Sequence, residues 1–234
     1  MKIIVISRRS DTRRRDNIRT VLKACPYEWD FLDAYEAGTL PGWFEAIYDE
    51  SKARRYRSYP LVGGEKGCFA SHMRAWVKCV YFDEPVIVLE DDSVLSADFW
   101  EKVSIMESSG FDYVKLERRS GGDALDGIFM VNHKNRSATT GYYLTPVGAF
   151  KFLSALNKIY MPVDHYIGMA WRHTVAPIGL IEPVVTNEAS LGTSIQQDRQ
   201  REEKINSKNR WLRFLRKLRR YVDDFKYRRF IKKL

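Results

Sequence analysis

The chain has 234 residues, 44% of them hydrophobic, and a formal net charge of +9. That length suits one large domain with at most an appendage, at about 100–200 residues per domain, and the hydrophobic fraction supports a sizeable core. No run of about 18 apolar residues occurs, which excludes a helix crossing a membrane. The apolar run Ile3–Ile6 also stops at Arg8 and Arg9, short of the roughly 7–15 residues a secretory leader needs, so a cytoplasmic location is expected.

In chain order, Lys2–Ile6 is a β-branched run of the kind found in strands buried on both faces. The polar stretch Ser7–Arg15 reads as a loop, with Asp11 or Thr12 placed to cap a helix through about Lys23. Pro41-Gly42 and Gly63-Gly64 are breaks, and Trp43–Tyr56 between them is helix-permissive. After Gly67, the residues Phe69, Met73, Trp76, Val77 and Val80 recur at spacings of three and four, one face of a helix. Pro85–Leu89 is a second buried strand that runs directly into Glu90-Asp91-Asp92. Leu95, Phe99 and Val103 restart a helical period. Tyr113–Leu116 and Ile128–Val131 read as strands around the turn Gly121–Gly127. Tyr142–Leu144 is another strand, and Pro146 opens a helix where proline is tolerated. Leu180–Val185 is a last strand. Alternating strands and helices predict an α/β sheet, mostly parallel in its N-terminal half. Cys25, Cys68 and Cys79 match no zinc spacing and are expected to be reduced structural residues.

The charge is concentrated at one end. Residues 209–234 hold eleven Lys/Arg and two Asp, so they account for the entire net charge, and residues 1–208 are neutral with twenty-eight groups of each sign. Trp211, Phe214, Leu215, Leu218, Tyr221, Val222 and Phe225 recur at helical spacing among those cations. This predicts a basic amphipathic helix able to lie on an anionic membrane surface. Docking on the body, or in a dimer, is the alternative; a neutral body argues against nucleic acid as the partner.

Glu90, Asp91 and Asp92 occupy the first turn beyond a buried strand, the position where open α/β sheets bind ligands. Adjacent carboxylates repel unless a cation neutralises them, and oxygen ligands of this kind suit Mg²⁺ or Mn²⁺, which would also hold a substrate diphosphate. The competing reading has Asp92 capping the helix that follows, with Glu90 and Asp91 solvated.

The segment VIVLEDDSVLSADF (Val86–Phe99) resembles the central motif of glycosyltransferase family 25, the lipooligosaccharide sugar transferases. Four further segments resemble that family in the same order. They are Ile4–Arg14, with Ser7 where Asn is common; Gly64-Glu-Lys-Gly-Cys-Phe-Ala-Ser-His72; Thr140-Gly-Tyr-Tyr-Leu-Thr-Pro-Val-Gly-Ala149; and Pro162-Val163-Asp164. The resemblance covers about residues 2–196. It implies a GT-A-like fold for residues 1–208, a nucleotide-sugar donor such as a UDP-sugar, and a divalent metal at Glu90, Asp91 and Asp92. It further implies inverting transfer of a hexose, galactose or glucose, to a lipooligosaccharide or lipopolysaccharide core. The metal would offset charge on the leaving diphosphate as the anomeric carbon becomes oxocarbenium-like.

Inversion needs a base on the acceptor side to take the hydroxyl proton. Asp164 is the first candidate and His165 and Asp126 are the fallbacks, with Glu188 weaker. Arg8, Asp11 and Arg14 are candidates for contacts to base, ribose or phosphate, Arg because its fork pairs phosphate oxygens. Gly64, Ser71, His72, Thr140, Gly141 and Tyr142 are candidate donor contacts from the resembling segments. An acceptor built on a lipid would give the basic helix its purpose, at the inner face of the cytoplasmic membrane. A metal-dependent phosphohydrolase and a non-catalytic membrane-surface protein are the competing classes.

Overall fold

The computed structural model describes residues 1–117, 121–133, 138–188, 199–202 and 210–234. The predicted boundary at 208/209, and the stretch of family resemblance beyond residue 188, lie outside the described residues. So does the side chain of Leu215.

The elements run β1 (Lys2–Ser7), α1 (Thr12–Val21), β2 (Glu28–Asp33), α2 (Gly42–Ile47), α3 (Glu50–Arg57), α4 (Gly63–Phe82), β3 (Val86–Glu90), β4 (Ser93–Leu95), α5 (Phe99–Glu107) and β5 (Tyr113–Lys115). There follow β6 (Gly122–Ala124), β7 (Phe129–Asn132), β8 (Gly141–Leu144), α6 (Pro146–Ser154), α7 (Val163–Ile167), α8 (Ala170–His173), β9 (Ile178–Leu180), β10 (Val185–Asn187) and α9 (Arg210–Ile231). Eight strands form one mixed sheet in the order β2-β1-β3-β8-β5-β9-β7-β6, while β4 and β10 make a separate antiparallel pair. The pairings of β1 with β2 and β3 are parallel, as expected for the N-terminal half. Beyond β3 the pairings are mixed, with β8 antiparallel to both neighbours and β5 parallel to β9.

Successive residues of a strand point to opposite faces, and the core divides accordingly. Ile4, Ile6, Val86, Val88 and Tyr142 pack under α4 and α6 with Trp76 and Phe152. Ile3, Val5, Ile87, Leu89 and Tyr143 pack on the other face against Ile18 of α1 and Phe99 and Val103 of α5. This parity governs the end of β3, because it aims Glu90 toward α4 and Asp91 toward α1.

Local signals account for several boundaries. Asp11 caps α1 by accepting from the Arg14 N–H, and Thr145 caps α6 with Pro146 behind it. The helix-permissive segment Trp43–Tyr56 is two helices, because Asp49 restarts the chain as the cap of α3. Other readings change. β2 was not expected, since Glu28–Asp33 is an edge strand with charged residues on its open side. Leu95 belongs to β4, and α5 starts only at Phe99, so Asp92 caps no helix. Leu180 ends β9 and Val185 opens β10, so the predicted single strand is two strand ends joined by residues 181–184.

The last helix docks by one face. Its Tyr227 hydroxyl donates to the Asn132 carbonyl at 2.5 Å, and Tyr227 meets Trp171 edge to face. Asp223 receives the Tyr56 hydroxyl at 3.3 Å, and Arg219 lies over the Tyr56 ring. The opposite face carries Trp211, Phe214, Leu218, Tyr221, Val222 and Phe225 into solvent; Tyr221 is 76% exposed where Tyr227 is 4%. Among the described residues no helix is long and apolar enough to cross a membrane.

Candidate active site

The carboxyl end of β3 carries a polar cluster with two sides. On the α1 side, the Arg14 guanidinium donates to Asp91 Oδ1 at 2.9 Å and lies 3.8 Å from Asp92 Oδ2 and 3.4 Å from Asp11 Oδ2. Asp11, already spent as the cap, also receives Arg8 at 3.2 Å. Burial lowers the Arg14 pKa, but the hydrogen bond and charge of Asp91 outweigh it and the net shift is upward. Asp92 is 5% exposed, and its Oδ1 is buried without a hydrogen-bond partner among the described residues. Its carboxyl is pushed up to about 6, first by burial and then by the charges of Glu90 and Asp91, against the pull of Arg14. The β4–β10 ribbon closes over this turn, and the Glu188 N–H donates to the Asp92 carbonyl. Glu188, Arg13, Asp16, Asn17 and Thr20 line an open hollow of about 330 Å³ beside it.

On the α4 side, Glu90 Oε1 accepts from Thr139 Oγ1 at 2.6 Å and lies 3.5 Å from His72 Nε2. Burial would raise Glu90, but His72 and the Thr139 hydroxyl outweigh it and hold the carboxyl below its ordinary value. Tyr142 fixes the His72 ring: its hydroxyl is 2.8 Å from Nδ1 and accepts from Trp76 Nε1 at 3.0 Å. The three adjacent acids therefore do not converge as one ligand set. Among the described residues, the ligand atoms within 4.8 Å of one another are those of Cys68, His72 and Glu90. Glu90 leans toward His72 and Cys68, while Asp91 turns to Arg14.

Asp164 stands in the first turn of α7, where its Oδ1 accepts from the His165 N–H at 2.9 Å. It does not cap that helix, since Pro162 holds the cap position. Its negative charge raises both Glu90 and Cys68. The His165 ring instead packs edge-on against Tyr56 of α3. Asp126 is exposed in the β6–β7 turn, four strands from β3. At about 4.8 Å per strand this is roughly 19 Å away, too far to serve as the base.

Several predicted donor contacts are interior supports instead. Ser71 is fully buried; it accepts from the Tyr35 N–H and donates to the Gly67 carbonyl. Tyr142 is buried with its hydroxyl occupied as above. Thr140 donates its N–H and hydroxyl to Glu117, and its carbonyl accepts from the Ser93 hydroxyl. Gly141 lies inside β8, where a Cβ would meet Leu89 and Val185 at 3.1–3.3 Å. Gly64 sits half-buried in the first turn of α4. Its neighbour Gly67 is where space is scarce, since a Cβ there would come within 2.2 Å of the Tyr35 carbonyl oxygen. Residues that sequence reading passed over are Cys68, Thr139, and the buried pair Lys115 and Glu117, 4.0 Å apart. Lys115 and Glu117 sit in a short apolar run that reads simply as strand, so only the Cys68–His72 spacing of four offered a signal.

A family description fits this geometry: the sequence model for glycosyltransferase family 25 (LPS biosynthesis protein) matches residues 1–121, just over half of the chain and all of the β1–β3 frame. The chain belongs to glycosyltransferase family 25. Curated relatives named glycosyltransferase 25 family member are similar to it. One from Drosophila pseudoobscura pseudoobscura is 31% identical over 132 residues, covering 50% of this chain and 21% of its own length. One from Aedes aegypti is 30% identical over 132 residues with the same coverage. One from Anopheles gambiae is 28% identical over 141 residues, 55% of this chain and 22% of its own. The chain thus spans about a fifth of the length of these relatives. A solved glycosyltransferase involved in glycosylation of the major capsid of PBCV-1 overlaps 86% of this chain and 98% of its own, at 12% identity and a TM-score of 0.35. Family membership favours sugar transfer over the phosphohydrolase and the non-catalytic readings.

Proposed function

We propose that this family 25 glycosyltransferase moves a hexose from a UDP-sugar or similar nucleotide-sugar donor to a lipid-linked oligosaccharide of the lipopolysaccharide core type, in a GT-A-like arrangement with inversion. The observation that carries the reading is Asp92. A buried carboxylate with an orphaned oxygen, pushed up to about 6 beside Asp91, is a site short of positive charge at the ligand-binding end of a parallel strand. Asp91 and Asp92 suit a hard divalent cation such as Mn²⁺ or Mg²⁺. Bound there, that ion supplies Lewis-acid neutralisation of charge on the departing diphosphate.

The chain's own residues supply the rest. Arg14, held against Asp91, presents a fork to phosphate oxygens, and Arg8 and Asp11 extend that edge toward the nucleotide. Asp164 stands on the α4 side and takes the proton of the acceptor hydroxyl as it attacks the anomeric carbon from the face opposite the diphosphate. His72, anchored by Tyr142, keeps Glu90 ionised between them. The test is turnover of a nucleotide-sugar panel with Mn²⁺, then with excess chelator. Slow hydrolysis of one donor, lost with chelator, is expected; turnover indifferent to chelator removes the metal from the reading.

The appended helix, α9, serves attachment in this reading. Its outward face joins six large apolar side chains to a segment carrying the chain's whole net charge, the composition that lies in anionic headgroups. Because α9 also docks on α3 and α8, a surface variant tests this better than truncation. Phe214→Glu with Phe225→Glu should abolish binding to anionic liposomes and leave the melting temperature within a few degrees. Unchanged liposome binding, or a dimer split by the double variant, assigns the face to a protein partner.

A further inference from the structure

We propose that Cys68, His72 and Glu90 form a binding site for a borderline-soft divalent cation such as Zn²⁺, distinct from the hard-cation position at Asp91 and Asp92. Cys68 and His72 are four apart on α4 and so project from one helix face. Glu90 meets them across the sheet, steadied by the Thr139 hydroxyl. One ligand atom from each lies within 4.8 Å of the others. Tetrahedral ligands at about 2.0–2.3 Å from zinc stand about 3.3–3.8 Å apart. The 3.5 Å from His72 Nε2 to Glu90 Oε1 is already inside that span, so closure needs at most about 1.5 Å of movement from the thiol.

The donor set argues for this class of ion. A thiol and an imidazole with one carboxylate select zinc-like metals, whereas Mg²⁺ and Mn²⁺ prefer oxygen alone. His72 is fully buried, and its Nε2 faces the cluster without a hydrogen-bond partner among the described residues. Its other nitrogen is held by the Tyr142 hydroxyl, which itself accepts from Trp76. An outer hydrogen bond of this kind sets the ring orientation of metal-binding histidines. Three protein ligands leave a fourth position open, on the side where Cys68 and Glu90 are half-buried. Binding forms a sulfur–metal bond and breaks the S–H bond of Cys68, whose proton passes to solvent; no electrons are transferred.

This site does not depend on the sugar-transfer reading, and its test measures metal alone. Full-length protein stripped with chelator is titrated with Zn²⁺ against a chromophoric competitor, and separately with Co²⁺ while the near-ultraviolet absorption is recorded. Wild type is expected to bind a single equivalent of Zn²⁺ and to show a thiolate-to-Co²⁺ band. Cys68→Ser should weaken Zn²⁺ by at least about tenfold and remove the band. Cys25→Ser, remote from the cluster, should keep both. Glu90→Gln should weaken Zn²⁺ but retain the band, which keeps the test valid if one variant folds poorly. Absence of stoichiometric binding by wild type, or a band that persists in Cys68→Ser, overturns the proposal.

Discussion

On the α1 side of the β3 terminus, Asp91 and Asp92 face a guanidinium, and one carboxylate oxygen of Asp92 has no donor among the described residues. On the α4 side, one peptide unit earlier, Glu90 faces an imidazole, a threonine hydroxyl and a thiol, backed by Tyr142 and Trp76. In the proposed reading the first side takes a hard cation and phosphate. The second is prearranged by hydrogen bonds that exist without any ligand. Glu90 and Asp91 face different neighbours because the pleat turns alternate side chains to opposite faces of the sheet, and Asp92 follows in the turn, where the charges of Glu90 and Arg14 both act on it. An acidic run at a strand end is one motif in sequence with two sets of neighbours in space.

The largest effect that sharpens this contrast is expected at Asp164, which belongs to the α4 side. Asp164→Asn should lower kcat by about 10²–10⁴, the usual range for losing a general base. Donor affinity, which belongs to the α1 side, should stay near wild type in calorimetry. His165→Ala, whose ring packs on Tyr56, should change kcat far less; the reverse ranking would exchange their roles.

Next in size is the support behind Glu90. Tyr142→Phe removes the hydroxyl that holds His72 and accepts from Trp76, leaving a buried indole N–H unpaired at a cost of about 1–3 kcal/mol. Chemical denaturation should record that loss, with donor affinity again unchanged. A drop in donor affinity equal to the Asp92→Asn effect would show the two sides to be one.

Smaller still is a pH effect outside both sides. Burial holds the His173 imidazole down to about 3, so the folded chain keeps it neutral while the unfolded chain takes a proton below about 6.5. The sign follows from linkage: stability should fall as pH drops from about 6.5 toward 3, by an amount on the order of 1–3 kcal/mol by pH 4.5. His173→Gln should flatten that slope. An unchanged slope would place the acid sensitivity in the carboxylate cluster.

Much of this was legible before any coordinates. The β-branched runs of β1 and β3, the Asp11 cap, the α4 periodicity and Pro146 are local signals, and each is where its residues predict. The location of the acidic turn followed from the strand that precedes it. What was not legible depended on lateral order and parity. Asp126 is separated from β8 by only fourteen positions in sequence, yet β6 and β7 join the far edge of the sheet. Ser71, Thr140, Gly141 and Tyr142 sit in motif-bearing segments, but the side of α4 and β8 they occupy is the interior. Cys68 matched no zinc spacing by cysteines alone, because its companions are a histidine one helical turn on and a glutamate from another element. The tail's apolar stripe and its basic residues were both visible; that Asp223 and Tyr227 form a second, docking face was not.

The central claim is that sugar transfer is run from the Asp91–Asp92 side of β3, and Asp92→Asn tests it most directly. The substitution keeps shape and removes a carboxylate that its neighbours repel, so the melting temperature should hold or rise. Donor turnover at saturating Mn²⁺ should fall by about 10²–10³, the scale of losing one preorganised electrostatic contact to the transition state. Glycosyl transfer at the wild-type rate by folded Asp92→Asn would contradict the account.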